Sequence, residues 1–191
     1  RLNNKIFKKI IGGFFSVVKD MRRDLKKTFI SINEIDAFVF DFDGVLTNNL
    51  VYLDQEGKES VACSRSDGLA FDVLHKIKKP AFILSTEENP VVLMRANKLN
   101  TTAIQGVGDK AKAIKDIADK NNYNVKNILY VGNDINDYHA MQLCGHTACP
   151  ADSHFKIKEI SNFVLRAKGG DGIVRELLED VFQLDFIQLL Y

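Results

Sequence analysis

Two aspartates separated by a single residue follow a short apolar run, Ala37–Phe40. Asp41 and Asp43 precede Gly44, so both carboxylates lie where a buried strand is expected to end. Like charges this close resist ionising together unless a cation lies between them. The pair therefore predicts a divalent metal site, and a simple turn before Gly44 is the alternative interpretation.

Further polar side chains follow three other apolar runs along the chain. Carboxylate oxygens suit Mg²⁺, whereas a hydroxyl and an ammonium group suit phosphate oxygens. If the runs are parallel strands, their carboxyl ends share one edge of a sheet, and the side chains converge there. The set predicts phosphoryl transfer, in which an aspartate attacks phosphorus. Its members are Ser85, Lys110, Asn133, Asp134 and Asp137.

Each of these residues also has an ordinary structural interpretation. Ser85 could cap the helix that follows it, and Lys110 could be a solvated helix lysine. Asp134 and Asp137 could cap the helix after Val131. Their joint occurrence, in this order at the ends of apolar runs, favours the catalytic interpretation.

The elements that must position these residues alternate between strands and helices. This alternation predicts an α/β fold with a mostly parallel sheet and helices on both faces. Apolar residues make up 46% of the 191 residues, enough for a sizeable core. The predicted strands are Ala37–Phe40, Ala81–Leu84, Thr101–Ile104, Ile128–Val131, Thr147–Ala148 and Phe163–Leu165, and the predicted helices lie near Leu69–Ile77, Pro90–Leu99, Lys110–Lys120 and Asp137–Leu143.

One segment breaks the alternation directly after the acidic pair. Residues 50–63 predict a β-hairpin around Gly57, a small flap beside the site. No other gap in the body is long enough for a separate cap domain. Asp171–Leu190 predicts a helix that is apolar over much of its circumference, which indicates burial against another subunit. The glycine-rich loop Lys168–Gly172 either approaches a site in its own or a neighbouring subunit or is a plain connection.

The N-terminal residues differ in charge from the rest, so we place domain boundaries at residues 1–33 and 34–191. Residues 1–30 carry nine basic and two acidic residues, whereas the remaining chain carries 17 and 23. Apolar residues from Ile6 to Val18 recur at near-helical spacing around Gly12-Gly13. A helix packed on the body or on a sister subunit is favoured. A helix on an anionic membrane surface, a linker and a targeting segment are the alternatives.

Composition narrows the class of protein. No apolar run approaches the roughly 18 residues that span a bilayer. The mildly acidic body argues against nucleic acid as a main partner. Cys63, Cys144 and Cys149 are odd in number and lack paired spacing, which favours a reducing cytoplasm over a disulfide framework or a zinc site. We therefore expect a cytoplasmic protein.

The acidic pair and the residues after the other strands resemble the four motifs of the haloacid dehalogenase (HAD) superfamily. The motifs are Asp41–Thr47, Ser85, Lys110 and Gly132–Asp137, and the first, DxDGxxT, is highly specific. The resemblance covers nearly the whole body, from Asp36 to Glu179. It implies a Rossmann-like HAD fold without a cap domain.

Finer features resemble one capless branch of the superfamily. This branch holds the phosphatases of 3-deoxy-octulosonate 8-phosphate (KDO 8-phosphate) and of nonulosonate 9-phosphates, which belong to KDO and sialic acid biosynthesis. It also holds the HAD-like C-terminal domain of some acylneuraminate cytidylyltransferases. Its members are typically tetramers in which a neighbouring subunit helps to close the active site. The resemblance rests on Ser64–Gly68, Leu84–Val92, Arg95–Leu99, Gly169–Gly172 and Arg175-Glu176.

The resemblance implies a role for each catalytic residue. Asp41 attacks phosphorus in line, and Asp43 protonates the leaving sugar oxygen and then activates water to hydrolyse the aspartyl-phosphate. Ser85 and Lys110 neutralise the phosphoryl oxygens. The implied Mg²⁺ ligands are Asp41, the main-chain carbonyl of Asp43, Asn133 and Asp134.

Two positions distinguish members of the branch. The phosphatases usually have aspartate at the position of Asn133. Asparagine at this position resembles the cytidylyltransferase-attached domain. Asparagine coordinates without charge, so Mg²⁺ affinity is expected to fall unless Asp134 compensates. Glu87 is similar to the nonulosonate enzymes and either accepts hydrogen bonds from a polyol or amide tail or only favours the helix dipole. The other substrate-binding candidates are Thr47, Arg65, Thr86 and Arg95. The two arginines are candidates to bind the sugar carboxylate, and the alternative is that they are ordinary surface residues.

Three functions compete. The leading hypothesis is a homotetrameric Mg²⁺-dependent phosphatase of a 2-keto-3-deoxy sugar acid phosphate, with a nonulosonate 9-phosphate favoured over KDO 8-phosphate. The second is a catalytically weak, oligomerising HAD-like domain associated with an acylneuraminate cytidylyltransferase, which Asn133 and the basic extension favour. The third, a receiver domain, needs a phospho-accepting aspartate at the end of a later strand, where this chain has Ser85 and Gln105.

Overall fold

This computed structural model describes residues 30–191, which fold around a sheet of six parallel strands. The predictions for residues 1–29 lie outside the described residues. In chain order the strands are β1 (Ala37–Phe40), β2 (Tyr52–Leu53), β3 (Glu59–Ser60), β4 (Ala81–Leu84), β5 (Thr102–Ile104), β6 (Ile128–Val131), β7 (His146–Cys149) and β8 (Phe163–Val164). The large sheet has the order β5-β4-β1-β6-β7-β8, and β2 pairs with β3 in a separate antiparallel hairpin.

The strand order reverses direction next to β1. From β1 the chain passes outward through β4 and β5, then returns to the other side of β1 and continues outward through β6, β7 and β8. In open α/β sheets, ligands bind at the carboxyl ends of the strands at this switch point. The main-chain N–H of Asp41 donates to the carbonyl of Val131 at 2.9 Å, which places the ends of β1 and β6 side by side.

Helices cover both faces of the sheet, as the alternation predicted. Every residue of β1 and β6 is buried, as expected for central strands packed on two sides. Five of the seven helices described begin at a side-chain cap or a proline that sets the first turn. The helices are α1 (Arg65–Lys76), α2 (Val91–Lys98), α3 (Lys110–Asn121), α4 (Tyr138–Leu143), α5 (Phe155–Ile160), α6 (Ile173–Glu176) and α7 (Phe186–Leu190).

The C-terminal segment does not form the single long helix that its pattern predicted. Many of its apolar residues are buried within the chain itself. It divides into α6, a π-helical turn over Leu177–Val181, and α7. The ring of Phe182 packs edge-on against Phe38 of β1, with ring centroids 5.6 Å apart. Much of the apolar circumference is buried within the chain itself, although Ile187 and Tyr191 are 77% and 96% exposed.

The predicted hairpin is present beside the carboxyl edge, and it is the only insertion in the described part of the chain; no cap domain occurs there. Its turn is held by Asp54, whose carboxylate accepts main-chain N–H groups from Glu56 and Lys58 at 2.9 Å. Its first arm, Leu50–Leu53, exposes more than half of each side chain. Among the described residues, no helix is long and apolar enough to cross a membrane.

Candidate active site

The loop after β1 carries both aspartates of the first motif. Asp41 is 4% exposed, and its Oδ1 accepts the main-chain N–H of Phe42 at 2.7 Å. Gly44 has φ of +80°, a conformation that favours glycine and turns the chain back toward Thr47. The Thr47 hydroxyl accepts N–H groups from Gly44 and Asn49 at 3.2 Å and donates to Asp43 Oδ1 at 3.4 Å. Thr47 is fully buried and holds the loop through these contacts. Its assignment as a substrate-binding residue stays a prediction.

Lys110 joins two buried carboxylates at the switch point. Its Nζ lies 2.7 Å from Asp41 Oδ1 and 2.7 Å from Asp137 Oδ1. Lys110 is the first residue of α3, and Asp109 caps that helix by accepting the N–H of Lys112. Its interpretation as a solvated helix lysine is wrong, because the residue is only 3% exposed.

Asp137 ties the lysine to the loop after β6. Its Oδ2 accepts the main-chain N–H groups of Asn133 at 2.9 Å and Asp134 at 3.3 Å, while its Oδ1 accepts the Tyr130 hydroxyl at 2.8 Å. The sequence predicts Asp137 as a strand-end carboxylate or a helix cap, and neither interpretation includes its ion pair with Lys110. Its position four residues after Asn133 is the signal that could have revealed it, because such a carboxylate folds back onto the main chain of the turn.

The electrostatics of this cluster favour a bound cation. Burial raises the pKa of Asp41 well above its ordinary range; the charge of Asp137 raises it further and Lys110 lowers it. Burial lowers the pKa of Lys110, but the charges of Asp41 and Asp137 outweigh that effect and the net shift is upward. Two buried carboxylates thus share one ammonium group, and a cation bound beside Asp41 would favour its ionised form.

Asn133 supplies a second sign of a metal site. Its Oδ1 is buried and accepts no hydrogen bond within the described chain. A side chain on Gly44 would collide with the Asn133 amide, so this amide lies against the main chain of the Asp43–Gly44 turn. Residues 30–191 contain no group of three His, Cys, Asp or Glu side chains arranged for a metal. The predicted ligands, the Asp41 carboxylate, the Asp43 carbonyl and the Asn133 amide, all offer oxygen atoms, which suit Mg²⁺, and their assignment stays a prediction.

Asp134 lies differently from the other predicted ligands. Its side chain is exposed, and its Oδ1 accepts the N–H of Ile135 at 2.7 Å as a helix cap. Its assignment as a metal ligand stays a prediction.

Asp43 is half-buried at the mouth of the site. Burial raises its pKa, the charge of Glu87 raises it further, the bond from Thr47 lowers it, and Glu59 of the flap adds a smaller increase. The shift favours the protonated form that a general acid needs.

Ser85 and its neighbours form the wall after β4. Ser85 is 1% exposed, and its Oγ accepts the N–H of Glu87 at 3.0 Å. This is a contact within the loop and not the helix cap that the sequence offered as an alternative, because the next helix begins at Val91 after Pro90. One carboxylate oxygen of Glu87 accepts the N–H groups of Glu88 and Asn89 at 2.8 Å. Asn89 in turn donates to Glu59 at 3.0 Å and ties the flap to this wall. Thr86 is exposed beside it.

The predicted arginines are not joined to the catalytic cluster within the described chain. Arg95 donates to the carbonyl of Ser64 at 2.7 Å, at the start of α1. Arg65 is exposed in the first turn of the same helix. Both stay candidates for a sugar carboxylate.

The glycine-rich loop before α6 approaches the site of its own chain. The N–H of Gly170 donates to the carbonyl of Val45 at 3.0 Å. A side chain on Gly169 would collide with the carbonyl of Gly44. This loop therefore supports the turn that carries Asp43.

Comparison with known proteins gives consistent matches. A model of haloacid dehalogenase-like hydrolases matches residues 83–177. A 3-deoxy-D-manno-octulosonate 8-phosphate phosphatase of Escherichia coli (strain K12) is 30% identical over 146 residues, 76% of this chain and 78% of that protein. A 3-deoxy-D-manno-octulosonate 8-phosphate phosphatase of Yersinia pestis is 29% identical over the same shares of the two chains.

Solved structures resemble this fold. A HAD family hydrolase from Streptomyces avermitilis has a TM-score of 0.78 and 37% identity over 80% of this chain and 88% of its own. The 3-deoxy-D-manno-octulosonate 8-phosphate phosphatase of Moraxella catarrhalis, in complex with magnesium ion, phosphate ion and KDO, has a TM-score of 0.75 and 26% identity over 78% and 87% of the two chains.

Proposed function

The chain belongs to the haloacid dehalogenase-like hydrolases, and we propose that this Mg²⁺-dependent phosphomonoesterase hydrolyses the phosphate ester of a 2-keto-3-deoxy sugar acid. A nonulosonate 9-phosphate is favoured as the substrate, and KDO 8-phosphate is the second candidate. The observation that carries the proposal is the buried Asp41–Lys110–Asp137 cluster beside the unpartnered Asn133 oxygen at the switch point.

The geometry supports Asp41 as the nucleophile. Lys110 and the Phe42 N–H both bind Oδ1, which leaves Oδ2 for attack on phosphorus. A bond forms between Asp41 and phosphorus as the bond from phosphorus to the sugar oxygen breaks, and Asp43 donates its proton to that oxygen. Asp43 then takes a proton from water, which attacks the aspartyl-phosphate and releases phosphate.

Other residues neutralise the charge that develops. The Lys110 ammonium and the Ser85 hydroxyl lie at the carboxyl edge where phosphoryl oxygens would bind. Asp41, the Asp43 carbonyl and Asn133 would hold Mg²⁺. When bound, Mg²⁺ would supply positive charge that offsets the negative charge of the phosphoryl group.

The environment of Asp43 supports the favoured substrate. The charges of Glu87, after β4, and of Glu59, in the flap, both raise the pKa of Asp43. The leaving group would therefore enter a region rich in hydrogen-bond acceptors. The polyol or amide tail of a nonulosonate supplies matching donors. The relatives act on an octulosonate 8-phosphate by name, so the length of the sugar acid is the part that most needs a test.

The exposed first arm of the flap supports a homotetramer in which a neighbouring subunit closes the site. Leu50, Val51, Tyr52 and Leu53 form a continuous apolar stretch beside the active-site edge. Monomeric surfaces rarely keep such a stretch uncovered. We also propose that the protein is cytoplasmic and that a domain boundary follows residue 33.

One observation favours a second function. The metal position carries the uncharged Asn133, which is expected to weaken Mg²⁺ binding. On this alternative the chain is a catalytically weak, oligomerising HAD-like domain that accompanies an acylneuraminate cytidylyltransferase.

A phosphate-release panel separates the two functions. KDO 8-phosphate, KDN 9-phosphate and N-acetylneuraminate 9-phosphate are supplied with Mg²⁺ to the wild type and to Asp41→Asn. The proposal expects release from a nonulosonate phosphate that is abolished by Asp41→Asn. No turnover of any sugar phosphate by intact oligomers would overturn it and favour the alternative.

A further inference from the structure

The Tyr130 hydroxyl is buried beside the cluster of Asp41, Lys110 and Asp137. Its side chain is fully buried in β6, and its hydroxyl donates to Asp137 Oδ1 at 2.8 Å. The same oxygen accepts the Lys110 ammonium at 2.7 Å. Buried tyrosine hydroxyls require a partner, but an apolar β-strand could hold phenylalanine here without any polar group to satisfy.

Four donors hold the Asp137 carboxylate. Tyr130 and Lys110 bind Oδ1, and the N–H groups of Asn133 and Asp134 bind Oδ2. The carboxylate therefore cannot rotate without breaking bonds on both of its oxygens. Its orientation links the lysine on α3 to the loop that presents the Asn133 amide.

The position of Lys110 depends on this orientation. Its ammonium lies between Asp41 and Asp137, and each carboxylate oxygen is 2.7 Å away. A phosphoryl oxygen that approaches Asp41 must compete with Asp137 for the lysine protons. A second donor on Asp137 Oδ1 lowers the negative charge density that the lysine meets there, so the lysine can turn toward phosphorus at a lower cost.

We propose that Tyr130 is a positioning residue for phosphoryl transfer: its hydroxyl fixes the Asp137 carboxylate and thereby aims Lys110 at the phosphoryl group. This inference rests on the proposed function. Tyr130 itself touches neither substrate nor metal.

The test compares Tyr130→Phe with Tyr138→Phe. Both remove one hydroxyl, but within residues 30–191 the Tyr138 hydroxyl bonds only to the Gln142 side chain, which donates to it at 3.3 Å, and Tyr138 lies next to Asp137 in the chain. With p-nitrophenyl phosphate and Mg²⁺, we expect Tyr130→Phe to lower kcat about tenfold with KM within about twofold. The inhibition constant of vanadate is expected to rise by the same factor as kcat falls, and Tyr138→Phe is expected to match the wild type.

A double-mutant cycle with Asp137→Asn separates positioning from a general loss of structure. If Tyr130 acts through Asp137, Tyr130→Phe changes kcat less than twofold in the Asp137→Asn background. Additive effects would overturn the inference, and so would a Tyr130→Phe protein that has wild-type kcat or does not fold. If the wild type hydrolyses no phosphate ester, the proposed function fails separately, and calorimetric binding of vanadate with Mg²⁺ to the wild type and Tyr130→Phe still tests the positioning role.

Discussion

Gly169 lies directly against Gly44: the absence of a side chain on Gly169 lets the loop before α6 rest on the Gly44 carbonyl. Gly44 in turn leaves room for the Asn133 amide. The loop before α6, the loop after β1 and the loop after β6 thus pack against one another at positions that leave no room for a Cβ on Gly169 or Gly44. We therefore expect the activity to be sensitive to a methyl group added at Gly169, more than a hundred residues from Asp41 in the chain.

Gly169→Ala is expected to displace the turn that carries Asp43. Overpacking costs about 1–3 kcal/mol in the free energy of unfolding, and we expect kcat to fall at least tenfold because Asp43 moves. Urea unfolding and phosphate release measure the two effects. Gly68→Ala is the control, because nothing lies within 4 Å of a Cβ at that helical position, so it is expected to stabilise by about 0.5–1 kcal/mol. Equal behaviour of the two variants would contradict the packing argument.

Because Asp67 is buried, we expect the free energy of unfolding to depend on pH. Burial raises its pKa from 3.8 to about 6, although its carboxylate accepts N–H groups from Val174 and Arg175. Between about pH 4 and pH 6 the folded state keeps a proton that the unfolded chain has lost, so stability falls as pH rises through this window. Above pH 6 the buried charge costs up to about 3 kcal/mol.

Asp67→Asn keeps the acceptor oxygen and removes the charge. We expect this variant to be more stable than the wild type at pH 8 and equal to it near pH 4, as measured by urea unfolding. Asp72→Asn, an exposed change on the same helix, is expected to alter stability by less than about 0.5 kcal/mol. A less stable Asp67→Asn at pH 8 would show that the charge is stabilised in the fold.

Asn133→Asp is expected to tighten Mg²⁺ binding. The added charge should lower the half-saturating Mg²⁺ concentration about tenfold. Without Mg²⁺ the variant is expected to melt at a lower temperature than the wild type, because a further carboxylate enters an acidic cluster. Metal titrations of phosphate release and of the melting temperature measure both effects. Asp134→Asn is the comparison: an unchanged titration argues for a capping role, and a weakened one would make Asp134 a ligand.

Asp137→Ala is expected to destabilise the fold by about 3–5 kcal/mol, because it removes one partner of a buried ion pair and leaves two main-chain N–H groups without an acceptor. Asp116→Ala removes a pair to Lys112 in which both side chains are more than 60% exposed, and its cost should stay below about 0.5 kcal/mol. Denaturant unfolding compares the two. Similar costs would mean that the buried cluster contributes no more than a surface pair.

The strands around the switch point could be predicted to the residue. Ala37–Phe40, Ala81–Leu84 and Ile128–Val131 have the bounds expected, because a central parallel strand is an unbroken apolar run that stops where polar side chains begin. The helix Phe155–Ile160 was not predicted, because its alternation of apolar and lysine residues has no helical period. Helix α1 begins four residues before its predicted start, because the Ser64 cap lies outside the apolar pattern.

By itself the sequence determined the sheet, the family and the set of polar residues at one edge, since these depend on local patterns and on strand direction. Only the tertiary structure decided which of those residues are partners. Lys110 and Asp137 are 27 residues apart in the chain, and no local pattern predicts that their side chains form an ion pair. Thr47 turned inward and Asp134 outward for the same reason: side-chain direction at the end of a strand depends on the turn that follows and on what packs against it, and neither is encoded in spacing alone.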